Sequence, residues 1–321
     1  MNGETLELKP AERIEVVVLA DNYADVLLES TETVTRPPKA RDGLVFEDTL
    51  VAEHGLSLLV RVSRNGETRE VLLDAGYSSV GVPHNLDRLG ISLERVEAVV
   101  LSHGHMDHTG ALSAVLTRIP DRVPLVAHPD AFAAPRYIAP PGAPRMVFPR
   151  TLVRKDLEEM GADVTASASP LLLAGGTVLV TGQVERTTPY EQGMPHAVME
   201  RDGELVRDEI LDDQSLVLSL RGKGLVVVAG CSHAGIVNTV RHARRLTGED
   251  RVHAILGGFH LADDPSGELV ESTIRGLGEA DPDLLMPMHC TGWKAVHRIA
   301  EAFPAAFALS SVGTKVTLEG A

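Results

Sequence analysis

Only two cysteines, Cys231 and Cys290, occur in 321 residues. That is too few for a secreted disulfide framework and suits a reducing cytoplasm. Aromatic residues make up just 3% of the chain, so no run of exposed rings marks a protein-binding hot spot. Positive charge is also short: 30 Lys and Arg stand against 45 Asp and Glu, a formal net charge of −15. This balance argues against nucleic-acid binding through a general phosphate-neutralising surface, while leaving room for a local basic pocket around one phosphate. The longest apolar run, 225–237, is broken by glycines, Cys231, Ser232 and His233 and is too short to cross a bilayer. The acidic start, Met1 to Pro10, has no basic n-region and does not read as a signal peptide. These absences lead to the expectation of a soluble cytoplasmic protein that handles a small molecule, with neither nucleic acid nor membrane as partner.

The 44% hydrophobic content supports a sizeable core, and a chain of this length is expected to form one domain over 1–321. Val- and Leu-rich segments at 14–20, 56–62, 70–74, 98–101, 125–127, 177–181, 214–220, 225–229, 252–257, 284–287 and 315–318 read as strands. Apolar spacing of three and four predicts helices near 85–90, 110–118, 236–246, 269–278 and 293–303. Two stretches break the pattern. Residues 30–48, rich in Thr, Pro and charge, read as an excursion or lid, and the proline- and arginine-rich 132–150 as an irregular insertion over one face. Helices interleaved with strands throughout favour sheets covered by helices on their outer faces.

The strand at 98–101 runs directly into His103-Gly-His105-Met-Asp107-His108, which places four ligand-type side chains within six residues. Histidines at i and i+2 of an extended segment project to one side, so His103 and His105 can grip one ion. Gly104 and the loop free the backbone to curl, turning Asp107 and His108 toward a second position. Two divalent cations held roughly 3.5–4 Å apart can stabilise both the attacking and the leaving oxygen of a displacement.

The run Leu101-Ser-His-Gly-His-Met-Asp-His-Thr-Gly110 resembles the signature of the metallo-β-lactamase superfamily, and Leu72-Leu-Asp-Ala-Gly76 resembles its upstream strand ending in aspartate. A narrower resemblance is to the branch of 7,8-dihydropterin-6-methyl-4-(β-D-ribofuranosyl)aminobenzene-5′-phosphate synthase-like proteins. It rests on Asp21-Asn22, Glu53-His-Gly-Leu-Ser57, Gly230-Cys-Ser-His-Ala-Gly-Ile-Val-Asn238, Gly257-Gly-Phe-His-Leu261 and Met288-His-Cys-Thr-Gly292, pieces that span nearly the whole chain. The resemblance implies an α/β fold, an αββα sandwich of two mixed sheets with helices on the outer faces. It also implies that His103 and His105 bind a first metal and that Asp107, His108 and His289 bind a second. His233 is expected to complete the first set. Many hydrolases of the superfamily carry a bridging aspartate at the end of a later strand; here that strand ends in Gly230-Cys231, so either the Cys231 thiolate bridges or His233 coordinates and the second metal is held more weakly.

The expected cofactors are therefore two divalent ions, zinc first, with iron or manganese also suited to these donors. The expected activity is hydrolysis of an ester or phosphoester of a small molecule, which could itself be phosphorylated, through a metal-bound hydroxide. Asp107 would orient the nucleophile and take its proton, and His260, after Gly257-Gly258, would contact substrate or transfer a proton. Asp74 is a candidate to orient a metal-bound histidine. Two alternatives remain: a synthase-like transferase of the pterin branch, with Arg136, Arg145 and Arg150 holding phosphate, and a metal-dependent ligand-binding protein. His54, His84, His128, His242, His253 and His297 are given no role, and His196 is held in reserve as a loop-borne third histidine.

Overall fold

Apolar side chains at successive strand positions decide the architecture, because a strand covered on both faces reads as a near-continuous apolar run. Along the strand Arg13–Ala20, Val16 and Val18 turn to one side and Val17 and Leu19 to the other, and all four are buried. The strand Ser57–Arg64 opposes Leu58 and Val60 to Leu59, and Gly224–Ala229 opposes Val226 and Val228 to Leu225 and Val227. Such strands can only lie inside a layered stack. The computed structural model, which describes residues 5–264 and 266–321, arranges them in that way. Residues 1–4, the beginning of the acidic start, lie outside the described residues.

One sheet has eight strands, in the order Ala162–Ala166, Val123–Ala127, Val96–Val100, Glu67–Leu73, Ser57–Arg64, Arg13–Ala20, Lys315–Glu319 and Val34–Thr35. The other has six, in the order Leu171–Leu173, Val178–Val180, Ser215–Leu220, Gly224–Ala229, Val252–Gly258 and Leu284–Met288. Each is mixed: the first four strands of the eight pair in parallel, as do the last three of the six, and the rest are antiparallel. Val18, Val60, Leu73, Val228, Leu256 and Met286 share the core between the sheets. The helices Gly81–Leu89 and Leu112–Leu116 cover the outer face of the eight-stranded sheet through Val82, Leu86 and Leu112. The helices Ile236–Thr247, Glu268–Ala280 and Trp293–Ala302 cover the other through Val240, Leu277 and Ile299. Each such fully buried aliphatic side chain contributes roughly 1.5–3 kcal/mol. The result is the αββα sandwich expected from the sequence.

The two segments read as excursions differ from expectation. Residues 132–150 are not irregular: Arg136–Ile138 pairs with Met146–Val147 and, on its other side, with Ala197–Arg201, which pairs with Glu204–Arg207, giving a four-stranded sheet. Pro140, Pro141 and Pro144 fall in the connection between the first two strands, where no ladder N–H is needed. Within 30–48, Val34–Thr35 joins the edge of the large sheet and Ala40–Arg41 forms a small hairpin with Leu44–Val45. The helix expected over 110–118 is shorter, Leu112–Leu116, and is preceded by a single turn at Met106–Thr109.

Candidate metal centre

The parallel strands of both sheets end at one rim, and the chemistry-bearing side chains follow directly after them. Asp74 follows Glu67–Leu73, the histidine run follows Val96–Val100, Cys231 and His233 follow Gly224–Ala229, His260 follows Val252–Gly258, and His289 follows Leu284–Met288. Asp74 (φ 61°), Ser232 (φ 57°), His260 (φ 42°) and His289 (φ 48°) occupy the left-handed region. Non-glycine residues adopt that conformation at a cost of order 1 kcal/mol or more, and such strain clusters where side chains must be aimed. Two glycines are needed for close approach. A Cβ at Gly104 would lie 2.2 Å from the Ala131 carbonyl oxygen, and one at Gly230 would lie 2.1 Å from Ser102 Oγ.

Three donor sets result, each with its ligand atoms within 4.8 Å of one another: His103, His105 and His233; Asp107, His108, Cys231 and His289; and Cys231, His233 and His260. All six residues expected as metal ligands are thus brought together. Cys231 stands with the second set and, through His233, touches the first, the position of the bridging alternative. The His260 ring centre lies 4.2 Å from that of His233, and its Nε2 is 3.5 Å from Asp263.

Neighbouring groups fix the imidazole tautomers. Ser102 Oγ donates to Asp74 Oδ2 at 2.7 Å and therefore accepts from His103 Nδ1 at 3.0 Å. His108 Nδ1 donates to Asp74 at 2.6 Å, leaving Nε2 to face Cys231 Sγ at 3.1 Å. His289 Nδ1 donates to Asn22 Oδ1 at 3.0 Å, leaving Nε2 facing Asp107 Oδ2 at 3.1 Å. With a cation present, these aimed nitrogens would be the ones to lose their protons and offer lone pairs to it. His103 Nε2, His105 Nε2 and both ring nitrogens of His233 are buried with no hydrogen-bond partner among the described residues. Such orphaned acceptors are costly unless something occupies the space between them, so the residues fit a divalent ion.

Electrostatics divide the sets. Burial holds His103 and His233 far below the ordinary histidine range, and burial with the nearby Arg136 takes His105 to about 3. Burial would lower His108 as well, but the Asp74 and Asp107 carboxylates outweigh it and raise His108 to about 9. For Asp107, burial is outweighed by His108 and His289, which hold its carboxyl well below the usual range. Burial, with Cys290 alongside, pushes the Cys231 thiol up, so it becomes a thiolate only with a cation beside it.

Some assignments change. His196 is exposed, at φ 60°, and belongs to none of the donor sets. Its position near the start of Ala197–Arg201 belongs to the four-stranded sheet. Arg136 does not stand free for phosphate: it is buried, 2.8 Å from Asp212 and 3.3 Å from Asp208. Asp212 in turn accepts from the Gly104 backbone N–H at 2.8 Å, so this ion cluster anchors the loop between His103 and His105. Arg145 lies 4.4 Å over the Tyr137 ring, and Arg150 is exposed. His54, given no role from sequence, stands exposed at the mouth with Nε2 3.8 Å from Asp107 Oδ2. Asn22 donates to its Nδ1 at 3.0 Å, so Nε2 carries the proton. The pieces Asp21-Asn22 and Glu53-His54 were visible in the sequence, but without the fold nothing placed them beside His289.

Comparison with known proteins bears on the family and the fold. Residues 51–185 match the family model of the metallo-beta-lactamase superfamily. The chain is 31% identical over 267 residues to the 7,8-dihydropterin-6-methyl-4-(beta-D-ribofuranosyl)-aminobenzene-5′-phosphate synthase of Methanocaldococcus jannaschii, covering 82% of this chain and 90% of that protein. It is 32% identical over 254 residues to an uncharacterized protein of the same organism, covering 78% and 88%. Among solved structures it resembles Tm1679, described as a metal-dependent hydrolase of the beta-lactamase superfamily, with a TM-score of 0.71 and 24% identity over 95% of this chain and 99% of that one. The histidine run, the sandwich and relatives that span most of the chain lead to one assignment: this chain belongs to the metallo-β-lactamase superfamily, in the branch that resembles the dihydropterin–ribofuranosylaminobenzene phosphate synthase.

Proposed function

We propose that the chain is a metal-dependent hydrolase of an ester or phosphoester in a small molecule, working with two divalent ions. The carrying observation is the abutment of two donor sets, His103/His105/His233 and Asp107/His108/Cys231/His289, with Cys231 and His233 close enough to share a third set. Imidazole and thiolate donors favour zinc or iron over manganese. Ions bound there would acidify water and polarise the scissile oxygen.

The chain's own residues supply the rest. Asp107, held between His289 and His54, presents a carboxylate that can orient a water by accepting a hydrogen bond from it. Asp74, Ser102 and Asn22 keep the imidazoles in one tautomer. His54 presents an Nε2–H on the side of Asp107, 3.8 Å from its Oδ2, where it can donate to an oxygen of a substrate bound there. His260, beside His233, is the remaining group that can contact substrate from the opposite wall. No helix among the described residues is long and apolar enough to cross a membrane, and the cytoplasmic setting that would keep both cysteines as thiols is part of this proposal.

The test is metal content per chain by elemental analysis, together with hydrolysis of bis(p-nitrophenyl) phosphate before and after chelation. About two ions per chain and chelator-sensitive turnover are expected. Turnover that survives complete metal removal sinks the reading. A transferase reading has one observation in its favour, the 31% identity to a named synthase. Incubation with a pterin diphosphate and an aminobenzene ribophosphate separates the two: a coupled product supports transfer, and free hydroxymethylpterin alone supports hydrolysis.

A further inference from the structure

His103, His108 and His289 are each gripped at Nδ1 by a neighbouring side chain. His233 has no hydrogen-bond partner at either ring nitrogen among the described residues. The direction of its ring must therefore come from the backbone that carries it. That backbone is a tight turn: Ser232 is left-handed (φ 57°), the Gly235 N–H donates to the Ser232 carbonyl at 2.8 Å, and Ser232 Oγ donates to the Gly258 carbonyl at 2.7 Å. From outside the turn, Asp213 Oδ2 accepts from the Ala234 N–H at 2.9 Å, and the His233 N–H acts on the same carboxylate.

Asp213 does not act alone. Its neighbour Asp212 accepts from the Gly104 N–H at 2.8 Å. Gln214 donates from Nε2 to the Leu101 carbonyl at 2.8 Å and from its backbone N–H to the Ser102 carbonyl at 2.9 Å. These consecutive residues thus reach both pieces of chain that supply the first donor set: the run that follows Val96–Val100 in the eight-stranded sheet, and the turn that follows Gly224–Ala229 in the six-stranded one. All three are buried, and burying such side chains is costly unless directed bonds offset it. Joining the two sheets would need only apolar packing. Instead each side chain is aimed at backbone beside a histidine of the first set, and none of these bonds ends on a residue of the second.

We propose that Asp213 is the positioning residue for His233 and, with Asp212 and Gln214, brackets the imidazoles of the first set at the spacing an ion requires. Asp213 acts by accepting the N–H groups of the turn, not by lending its charge to the ion. This rests on the reading of His103, His105 and His233 as metal ligands and takes nothing from the identity of the reaction.

The test is zinc titration of the full chain against a chromophoric chelator, repeated with cobalt(II), whose thiolate charge-transfer absorption marks the ion bound with Cys231. Asp213→Ala is expected to lower the affinity of the first set about 10–100-fold and to leave the set containing Cys231 as in the wild type. Asp213→Asn keeps an oxygen for the Ala234 N–H while removing the charge, so it should recover most of that loss. Gln214→Met keeps the backbone bond to Ser102 and gives up only the one to Leu101, so a smaller loss, confined to the same set, is expected. A thermal melt of the metal-free variants checks folding, and Gln214→Met carries the test if Asp213→Ala does not fold. Equal losses in the two sets, or an asparagine variant as weak as the alanine one, overturn the proposal. Wild type that takes up no ion overturns it together with the metal reading; wild type and variants that bind two ions equally well overturn it alone.

Discussion

The two principal donor sets lie side by side yet are built from opposite materials. His103, His105 and His233 are three neutral imidazoles, with His103 Nε2, His105 Nε2 and both nitrogens of His233 lacking any hydrogen-bond partner among the described residues. Asp107, His108, Cys231 and His289 combine two imidazoles with two groups that can be anionic, already joined by contacts of 3.1 Å. A dication held by the first set would keep its charge, whereas the anionic groups of the second would largely neutralise one. On the proposed function the difference would separate two tasks: the first set would hold the ion that polarises an oxygen most strongly, and the second would place the Asp107 carboxylate beside it. Their supports differ as well. The first is held through the backbone, by Asp212 at Gly104, and through Ser102; the second is held by side chains that grip its imidazoles directly, Asp74 on His108 and Asn22 on His289.

Removing a donor from the neutral set should break this division most severely. His103→Ala is expected to lower bis(p-nitrophenyl) phosphate turnover by about 10³-fold or more, since several kcal/mol of charge stabilisation goes with the ion. Elemental analysis should then find metal retained by the second set alone; full occupancy of both in the variant would refute the ligand assignment. Cys231→Ala attacks the other side. It should reduce metal content toward one ion per chain while His103, His105 and His233 keep theirs. If content stays unchanged, Cys231 is a small buried side chain and no ligand, and the bridging alternative fails.

Asp74→Asn sharpens the comparison by touching both sets unequally. Asp74 contacts His108 directly but reaches His103 only through Ser102. Asparagine tolerates the left-handed backbone found at this position (φ 61°), so the substitution removes charge without adding strain. Metal affinity of the second set should fall about 10–100-fold and that of the first by less, read by titration with a chromophoric chelator. Equal losses in the two sets would show that Asp74 acts on the rim as a whole.

The part of this centre that was legible in the sequence is the part encoded locally. His103, His105, Asp107 and His108 share one loop after one strand, so their spacing alone declared them. The continuous Val and Leu runs declared strands buried on both faces. His233 and His289 required the family resemblance, because they lie far along the chain and meet the run only when two sheets share a rim. The four-stranded sheet was missed because its central pairing joins Tyr137 to Val198, a contact that prolines and arginines in the intervening sequence obscure. Arg136 was misread for the same reason: an arginine in a proline-rich stretch looks exposed, and only the folded chain sets Asp208 and Asp212 against it. Asn22 and His54 fall in pieces that carry the resemblance, but no role could be read for them there, since those roles consist of contacts across long sequence separations.

Asn22 therefore offers the finest test of how the second set is held. Its amide makes three directed bonds: Oδ1 accepts from His289 Nδ1 at 3.0 Å, and Nδ2 donates to the His289 carbonyl at 3.2 Å and to His54 Nδ1 at 3.0 Å. One side chain thus sets the tautomers of a candidate ligand and of the histidine at the mouth, yet it bears no charge and binds no metal itself. Asn22→Ala should leave the first set untouched and weaken the second by about tenfold, the lower end for a lost supporting bond. Asn22→Asp tests the tautomer argument separately: a carboxylate still accepts from His289 Nδ1 but cannot donate to His54 Nδ1, so metal affinity should recover while turnover stays low. Turnover recovering together with affinity would remove His54 from the mechanism and leave Asn22 as a support for His289 alone.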